Sequence, residues 1–231
     1  MVFSSITFLF IFLPVILVLY YIIPDKFKNV VMLSASLIFY AWGEPLYVIF
    51  LILSILFNYV CGLDIGAKQK DLRKAKLSLV FAVTVNICFL GFFKYYGFLM
   101  DSLNAVLPVN IPYRELPLPI GISIYILQAI SYLVDVYRRE AEPQKNILHL
   151  GLYISMFPQL TAGPIVRYIH IEEQLKRRTL STRRFGQGAV YFITGLGKKV
   201  ILANSAGNVF EHIWGLQAGH VSVLTAWIGC I

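Results

Sequence analysis

Long apolar runs alternate with short clusters of charge along this chain, and the runs define its elements. Residues 4–23 hold no charge, and one helical crossing of a bilayer takes about 20 apolar residues. A cleaved secretory signal would need a basic stretch before this run and a small-residue cleavage site after it. Neither is present, so the run predicts a retained anchor. Residues 29–42 and 46–63 are apolar and are parted by Gly43-Glu44-Pro45, which predicts a helical hairpin. Residues 77–97 run apolar to Phe92-Phe93-Lys94-Tyr95-Tyr96, where aromatic rings suit a headgroup interface and Lys94 can reach water. Residues 101–119 hold four prolines and predict an external loop or a surface-lying element; residues 120–136 predict a crossing back.

Charge orients these elements. In residues 64–76, Lys68, Lys70, Arg73, Lys74 and Lys76 outnumber Asp64 and Asp71, which assigns that loop to the cytoplasm. Arg138, Arg139 and Lys145 mark another cytoplasmic exit, and counting backward puts Lys26 and Lys28 inside, with Glu44 and the N-terminus outside. The next basic run, Lys176, Arg177, Arg178, Arg183 and Arg184, also asks to be cytoplasmic, yet one apolar stretch, residues 147–166, lies between. A helix over residues 147–157 is about 16 Å long, about half the hydrocarbon thickness. Pro158 and Pro164 remove backbone donors, Gly163 lets the chain turn, and Gln159 and Thr161 add polarity. A re-entrant segment turning near Pro158 and Gly163 is therefore expected. Such backbone survives at membrane depth only beside protein or a wet cavity, which predicts a polar cavity open to the cytoplasm.

Residues 185–202 are apolar but interrupted by Gly195, Gly197, Lys198 and Lys199, and residues 221–231 are too short to span, so the chain reads as the N-terminal part of a longer protein. Composition agrees: 58% hydrophobic, 14% charged and a mean hydropathy of +0.72, against about a quarter charged in soluble domains. The expected fold is all-α and polytopic: one membrane domain over residues 1–231, with tilted and broken helices. The net charge of +8 sits in loops and reads as orientation, with no nucleic-acid partner. Cys61, Cys88 and Cys230 are far apart in apolar surroundings and read as buried thiols, with no metal site implied.

Gln128, Tyr132 and Asp135 share one face of the helix expected over residues 120–136. The stripe serves either interhelical hydrogen bonding, with Asp135 paired to Arg138 or Arg139, or a substrate path. Asn58 and Asn86 read as packing. Lys198 and Lys199 either snorkel to the interface or bind an anion such as a phosphorylated acyl donor or a lipid headgroup. His149, His170, His212 and His220 have no partner at fixed spacing, and no nucleophile elbow, zinc pair or phosphate loop is present. The residues alone name no reaction.

Three motifs in order, Leu118-Pro-Ile-Gly-Ile-Ser-Ile-Tyr125, Gln128-Ala-Ile-Ser-Tyr-Leu-Val-Asp-Val-Tyr-Arg138 and Phe157-Pro-Gln-Leu-Thr-Ala-Gly-Pro-Ile-Val-Arg167, resemble the membrane-bound O-acyltransferase family. The similarity is to the branch of bacterial alginate O-acetyltransferase membrane subunits and their D-alanyl-transfer relatives. Val2-Phe-Ser-Ser5 and Phe39-Tyr-Ala-Trp-Gly43 are similar to that branch too. The resemblance implies helices and re-entrant segments around a tunnel in a bacterial cytoplasmic membrane. No cofactor is held there. An acyl donor, acetyl-CoA or a carrier-bound group, is used from the cytoplasm, and the acyl group reaches an exported polysaccharide or cell-envelope polymer, with an extracytoplasmic acetylation protein as partner. Membrane lipids are the other expected partners. Pro158, Gln159, Gly163, Pro164 and Arg167 would shape the cytoplasmic mouth, with Arg167 pairing donor phosphates. The family's catalytic histidine lies in a Trp-His-Gly type motif that this sequence lacks, Trp214-Gly215 being no substitute, so it is expected beyond Ile231. Two other readings stay open: a transporter or channel, which broken helices also build, and a noncatalytic scaffold of a polymer export complex.

Overall fold

The computed structural model describes residues 4–106, 111–114, 117–160, 163–178, 180–216 and 222–230, the last stretch without the side chains of 228 and 230. Among them every regular element is helical. A π-helical turn, Phe8–Phe12, leads into α1 (Leu13–Ile22); α2 (Asp25–Gly43), α3 (Val48–Ala67), α4 (Leu72–Val106), α5 (Ile122–Tyr137), α6 (Ile147–Ser155), α7 (Phe157–Leu160) and α8 (Tyr168–Lys176) follow. After them come α9 (Thr182–Gly197), a second π-helical turn (Lys198–Ala203), α10 (Asn204–Trp214) and α11 (Val223–Cys230). Two compact units result: residues 10–178 form the first, and the described residues of 2–9 and 179–231 form the second.

In the first unit α3 and α4, of 20 and 35 residues, are long and apolar enough to cross a membrane. Only 33% and 17% of their most apolar windows are buried, whereas a helix in a soluble core buries most of such a surface. Leu53, Val60, Phe81 and Ile87 point outward, as suits lipid or a further protein layer. Cys88 is also exposed, which corrects its reading as a buried thiol: its apolar neighbours lie on an outward face, not in a core. The second correction concerns α4, which runs on to Val106 instead of ending near Gly97. Aromatic residues and a single glycine do not by themselves stop a helix.

α5 is the hub of the first unit. Its buried side includes Tyr125, Gln128, Tyr132 and Asp135, and it packs against α3, α4, α6 and α8. Two glycines permit close approaches to and from α5. Gly121 begins α5 at φ +74°, and a Cβ there would strike the Leu160 carbonyl oxygen; a Cβ on Gly62 would strike the Tyr132 ring. Asn58 of α3 and Asn86 of α4 exchange amide bonds of 3.1 and 2.8 Å. Each also donates to a carbonyl one turn earlier, Ser54 and Ala82, at 2.8 Å.

The two ends of this bundle differ in chemistry. At one end Glu44 Oε2 accepts from the Ile120 amide at 3.0 Å and Tyr47 donates to the Pro117 carbonyl at 3.0 Å. At the other, Gln69 Nε2 donates to the Val136 carbonyl at 2.9 Å and Tyr59 to the Lys145 carbonyl at 2.7 Å. In the second unit, α9 and α10 bury no side chain. Tyr191, Ile193, Ile201, Leu202 and Trp214 stand exposed there.

Candidate functional site

The site forms where residues 144–168 fold against the polar face of α5. Asn146 starts α6 as its N-cap, accepting from the Leu148 amide at 2.9 Å. Nine residues later the helix stops at Met156, whose φ/ψ of −53°/115° is not helical. The Phe157 amide then donates to Ser36 Oγ of α2 at 3.1 Å, and the Phe157 ring meets Phe12 and Phe39 at centroid distances of 5.4 and 5.7 Å. α7 is a single turn with Pro158 at its second position, where a missing N–H leaves no bond unmade. The Gly163 amide returns to the Gln159 carbonyl at 3.0 Å. From Gly163 the chain has no regular structure up to Arg167, and Tyr153 Oη donates to the Val166 carbonyl at 2.8 Å.

Entrance and exit of this segment meet. Gln144 Nε2 donates to Tyr168 Oη at 2.6 Å, and the Gln144 amide donates to Tyr132 Oη at 3.0 Å. The Tyr168 ring stands edge-on to Tyr132 and Tyr153 at 5.0 and 5.2 Å. Burial pushes the Tyr168 hydroxyl far above its ordinary pKa, although the bond from Gln144 opposes this. His149 and Lys176 line one recess.

Each residue of the α5 stripe faces this segment. Gln128 Nε2 donates to Gln159 Oε1 at 2.7 Å. Tyr132 accepts from Gln144. Asp135 Oδ1 accepts from Arg167 through Nε at 3.2 Å and also through Nη2, which donates to Glu140 as well. Asp135 is therefore paired with Arg167, not with Arg138 or Arg139. The cause is the way α5 ends. The Glu140 and Ala141 amides both donate to the Asp135 carbonyl, Arg139 takes φ +62°, and its guanidinium reaches the Gln69 carbonyl. The reversal brings Glu140 to the Arg167 side instead. The hydrogen bonds it donates to Asp135 and then to Glu140 hold the Arg167 guanidinium well above the ordinary arginine pKa.

Four buried polar atoms have no partner among the described residues: Tyr40 Oη, Tyr125 Oη, Gln128 Oε1 and Asp135 Oδ2. Tyr125 lies three positions before Gln128, so the stripe starts one step earlier than Gln128. Its hydroxyl was passed over because a tyrosine in an apolar run reads as core. Gln144, Tyr153 and Tyr168 were missed likewise, since their partners are distant in sequence. Pro158 and Pro164 are exposed, and Gln159, Gly163 and Arg167 are half-buried. Thr161 and His220 lie outside the described residues. Lys198 and Lys199 belong to the second unit, where Lys199 Nζ donates to Ser4 Oγ at 3.0 Å. His170 and His212 are exposed on α8 and α10. Among the described residues no three His, Cys, Asp or Glu side chains gather as metal ligands.

Comparison with known proteins gives these elements a context. The probable alginate O-acetylase AlgI of Azotobacter vinelandii is 37% identical over 237 residues, covering 100% of this chain and 47% of that protein. Along its whole length the chain is similar to the alginate O-acetylases. The Pseudomonas aeruginosa probable alginate O-acetylase AlgI is likewise 37% identical, over 100% of this chain and 45% of its own length. The peptidoglycan O-acetyltransferase of Helicobacter pylori is 31% identical over 99% of the chain and 49% of its own length. The chain thus spans about half the length of these relatives. No family model matches it, and no solved structure matches it significantly.

Proposed function

We propose that the chain is part of a multi-pass O-acyltransferase of the bacterial cytoplasmic membrane, moving an acetyl group from a cytoplasmic donor to hydroxyls of an exported polysaccharide or cell-wall polymer. The 37% identity to alginate O-acetylases over the whole chain carries this reading. The single membrane domain and the tunnel expected from the sequence belong to it. Basic loops put the end bearing Lys68, Arg138 and Lys176 in the cytoplasm, with the N-terminus outside. Residues 147–166 then form a re-entrant dip. Its geometry suits that role, because hydrocarbon offers no partner to an open backbone and here Ser36 and Tyr153 serve the Phe157 amide and the Val166 carbonyl.

In this reading Gln128 and Gln159 line the path of the donor, acetyl-CoA or a carrier-bound acyl group, and Gln128 Oε1 is free to accept a hydrogen bond from it. Arg167 acts as a positioning residue. Two carboxylates engage its guanidinium, so a donor phosphate would have to displace Glu140 to reach it. The catalytic histidine, acting as general base, and the extracytoplasmic partner lie outside these residues. Cysteine accessibility tests the dip: with the native cysteines replaced by serine, Lys145→Cys and Lys176→Cys should both react with an impermeant maleimide only from the cytoplasmic side. Labelling from opposite sides would remove the re-entrant segment and its cavity.

A further inference from the structure

A groove and a pocket adjoin where α8 lies against α1 and α2. The groove, of about 260 Å³, is walled by apolar side chains that include Leu13, Leu17, Met32, Phe157 and Ile171. The pocket, of about 160 Å³, holds Asp25, Lys26, Lys28, His149, Lys176 and Arg178. Leu175 and Arg178 line both, so the two are continuous. Asn29 Nδ2 donates to the Leu175 carbonyl at 2.9 Å and fixes the end of α8 against α2. The Tyr20 ring meets two of the cations, with Lys28 Nζ 5.1 Å and Arg178 Cζ 5.6 Å from its centre.

Charge selects the occupant. Asp25 pairs with Lys28 at 2.6 Å, and Glu172 pairs with Lys176 at 2.6 Å and raises its pKa. Lys26 and Arg178 have no carboxylate partner among the described residues, so two positive charges remain uncompensated at the mouth of an apolar groove. Tyrosine beside lysine and arginine is the composition of a headgroup interface. Beside the groove α1 exposes Val18, Leu19 and Ile22. We propose that this joined site binds one anionic phospholipid, its phosphate against Lys26 and Arg178 and an acyl chain along the groove. The assignment rests on the membrane reading above.

The test is photocrosslinking of the whole protein in vesicles with a phosphatidylglycerol carrying a diazirine in its acyl chain, adducts being located by mass spectrometry. Adducts are expected on peptides of α1, α7 and α8, and a phosphatidylcholine analogue should label them about thirtyfold less, from two surface charges. Lys26→Gln with Arg178→Gln should lower phosphatidylglycerol labelling to the phosphatidylcholine level. Leu17→Trp, which fills the groove and keeps the charges, should suppress both; an unchanged gel-filtration profile confirms that each variant folds. Equal labelling by the two lipids, or labelling unmoved by the charge variant, overturns the proposal. Displacement of the adducts by acetyl-CoA overturns it in favour of a donor site. Recovery of the protein in the soluble fraction after carbonate extraction overturns the membrane reading itself, whereas headgroup-blind labelling of an embedded protein overturns the lipid site alone.

Discussion

Two polar clusters are buried in the same bundle, and they are built to opposite rules. Between α3 and α4, Asn58 and Asn86 match all four of their amide atoms, to each other and to the Ser54 and Ala82 carbonyls. Between α5 and residues 144–168 more polar groups are brought together, yet Gln128 Oε1 and Asp135 Oδ2 are left without partners. A buried polar network that is fully satisfied specifies packing, while one with open acceptors is costly unless something else completes it. The difference separates a pair whose amides are all matched from a cluster that keeps two acceptors open.

The largest effect is expected where the open cluster is charged. Arg167→Ala leaves the Asp135 carboxylate, 2% exposed, without its cation, and a buried charge stranded in this way is strongly destabilising. The thermal midpoint in detergent should fall by about 5 °C or more. Adding Asp135→Asn should restore most of the midpoint without restoring, in the full-length protein, the acetylation proposed above. An Arg167→Ala protein as stable as the parent would mean that this ion pair does not order the returning segment.

The closed pair should respond less, and without touching function. Asn58→Leu leaves Asn86 Oδ1 without its partner and should cost about 1–3 kcal/mol. The double variant Asn58→Leu/Asn86→Leu leaves nothing unpaired and should recover most of that loss with acetylation unchanged. Loss of acetylation in a stable double variant would erase the distinction between the two clusters.

The same contrast explains what the amino-acid sequence makes legible. The Gln128, Tyr132 and Asp135 stripe was legible because helical spacing alone puts those residues on one face, and the break near Pro158 was legible because proline and glycine act locally. The partner of Asp135 was not. It follows from a chain reversal at Arg139, a residue in a left-handed conformation that no local rule demands there. Tyr125, Tyr153 and Tyr168 are hidden for another reason: their rings count as hydrophobic mass, and only the fold shows that the hydroxyls of Tyr153 and Tyr168 meet polar atoms while that of Tyr125 does not. The reach of α4 to Val106 is not legible from the aromatic residues at 92–96, because such residues mark depth in a bilayer rather than a stop in the backbone.

The uncharged half of the open cluster gives the smallest change in stability and the sharpest change in function. Gln128→Leu removes an amide whose Nε2 reaches Gln159 and whose Oε1 is unpaired. The net contribution lost is about that of one neutral hydrogen bond, roughly 1 kcal/mol, partly offset because an unsatisfied acceptor leaves the interior with it. If that acceptor receives the acyl donor, acetylation by the full-length protein should fall by about fivefold, one hydrogen bond's worth of binding. The thermal midpoint would then hardly move. Gln159→Ala should behave alike, and the two together should lose little more than either alone, because the pair acts as one unit. Full acetylation in both single variants would reduce Gln128 and Gln159 to a second packing pair, and the open cluster would then differ from the closed one only in being less well satisfied.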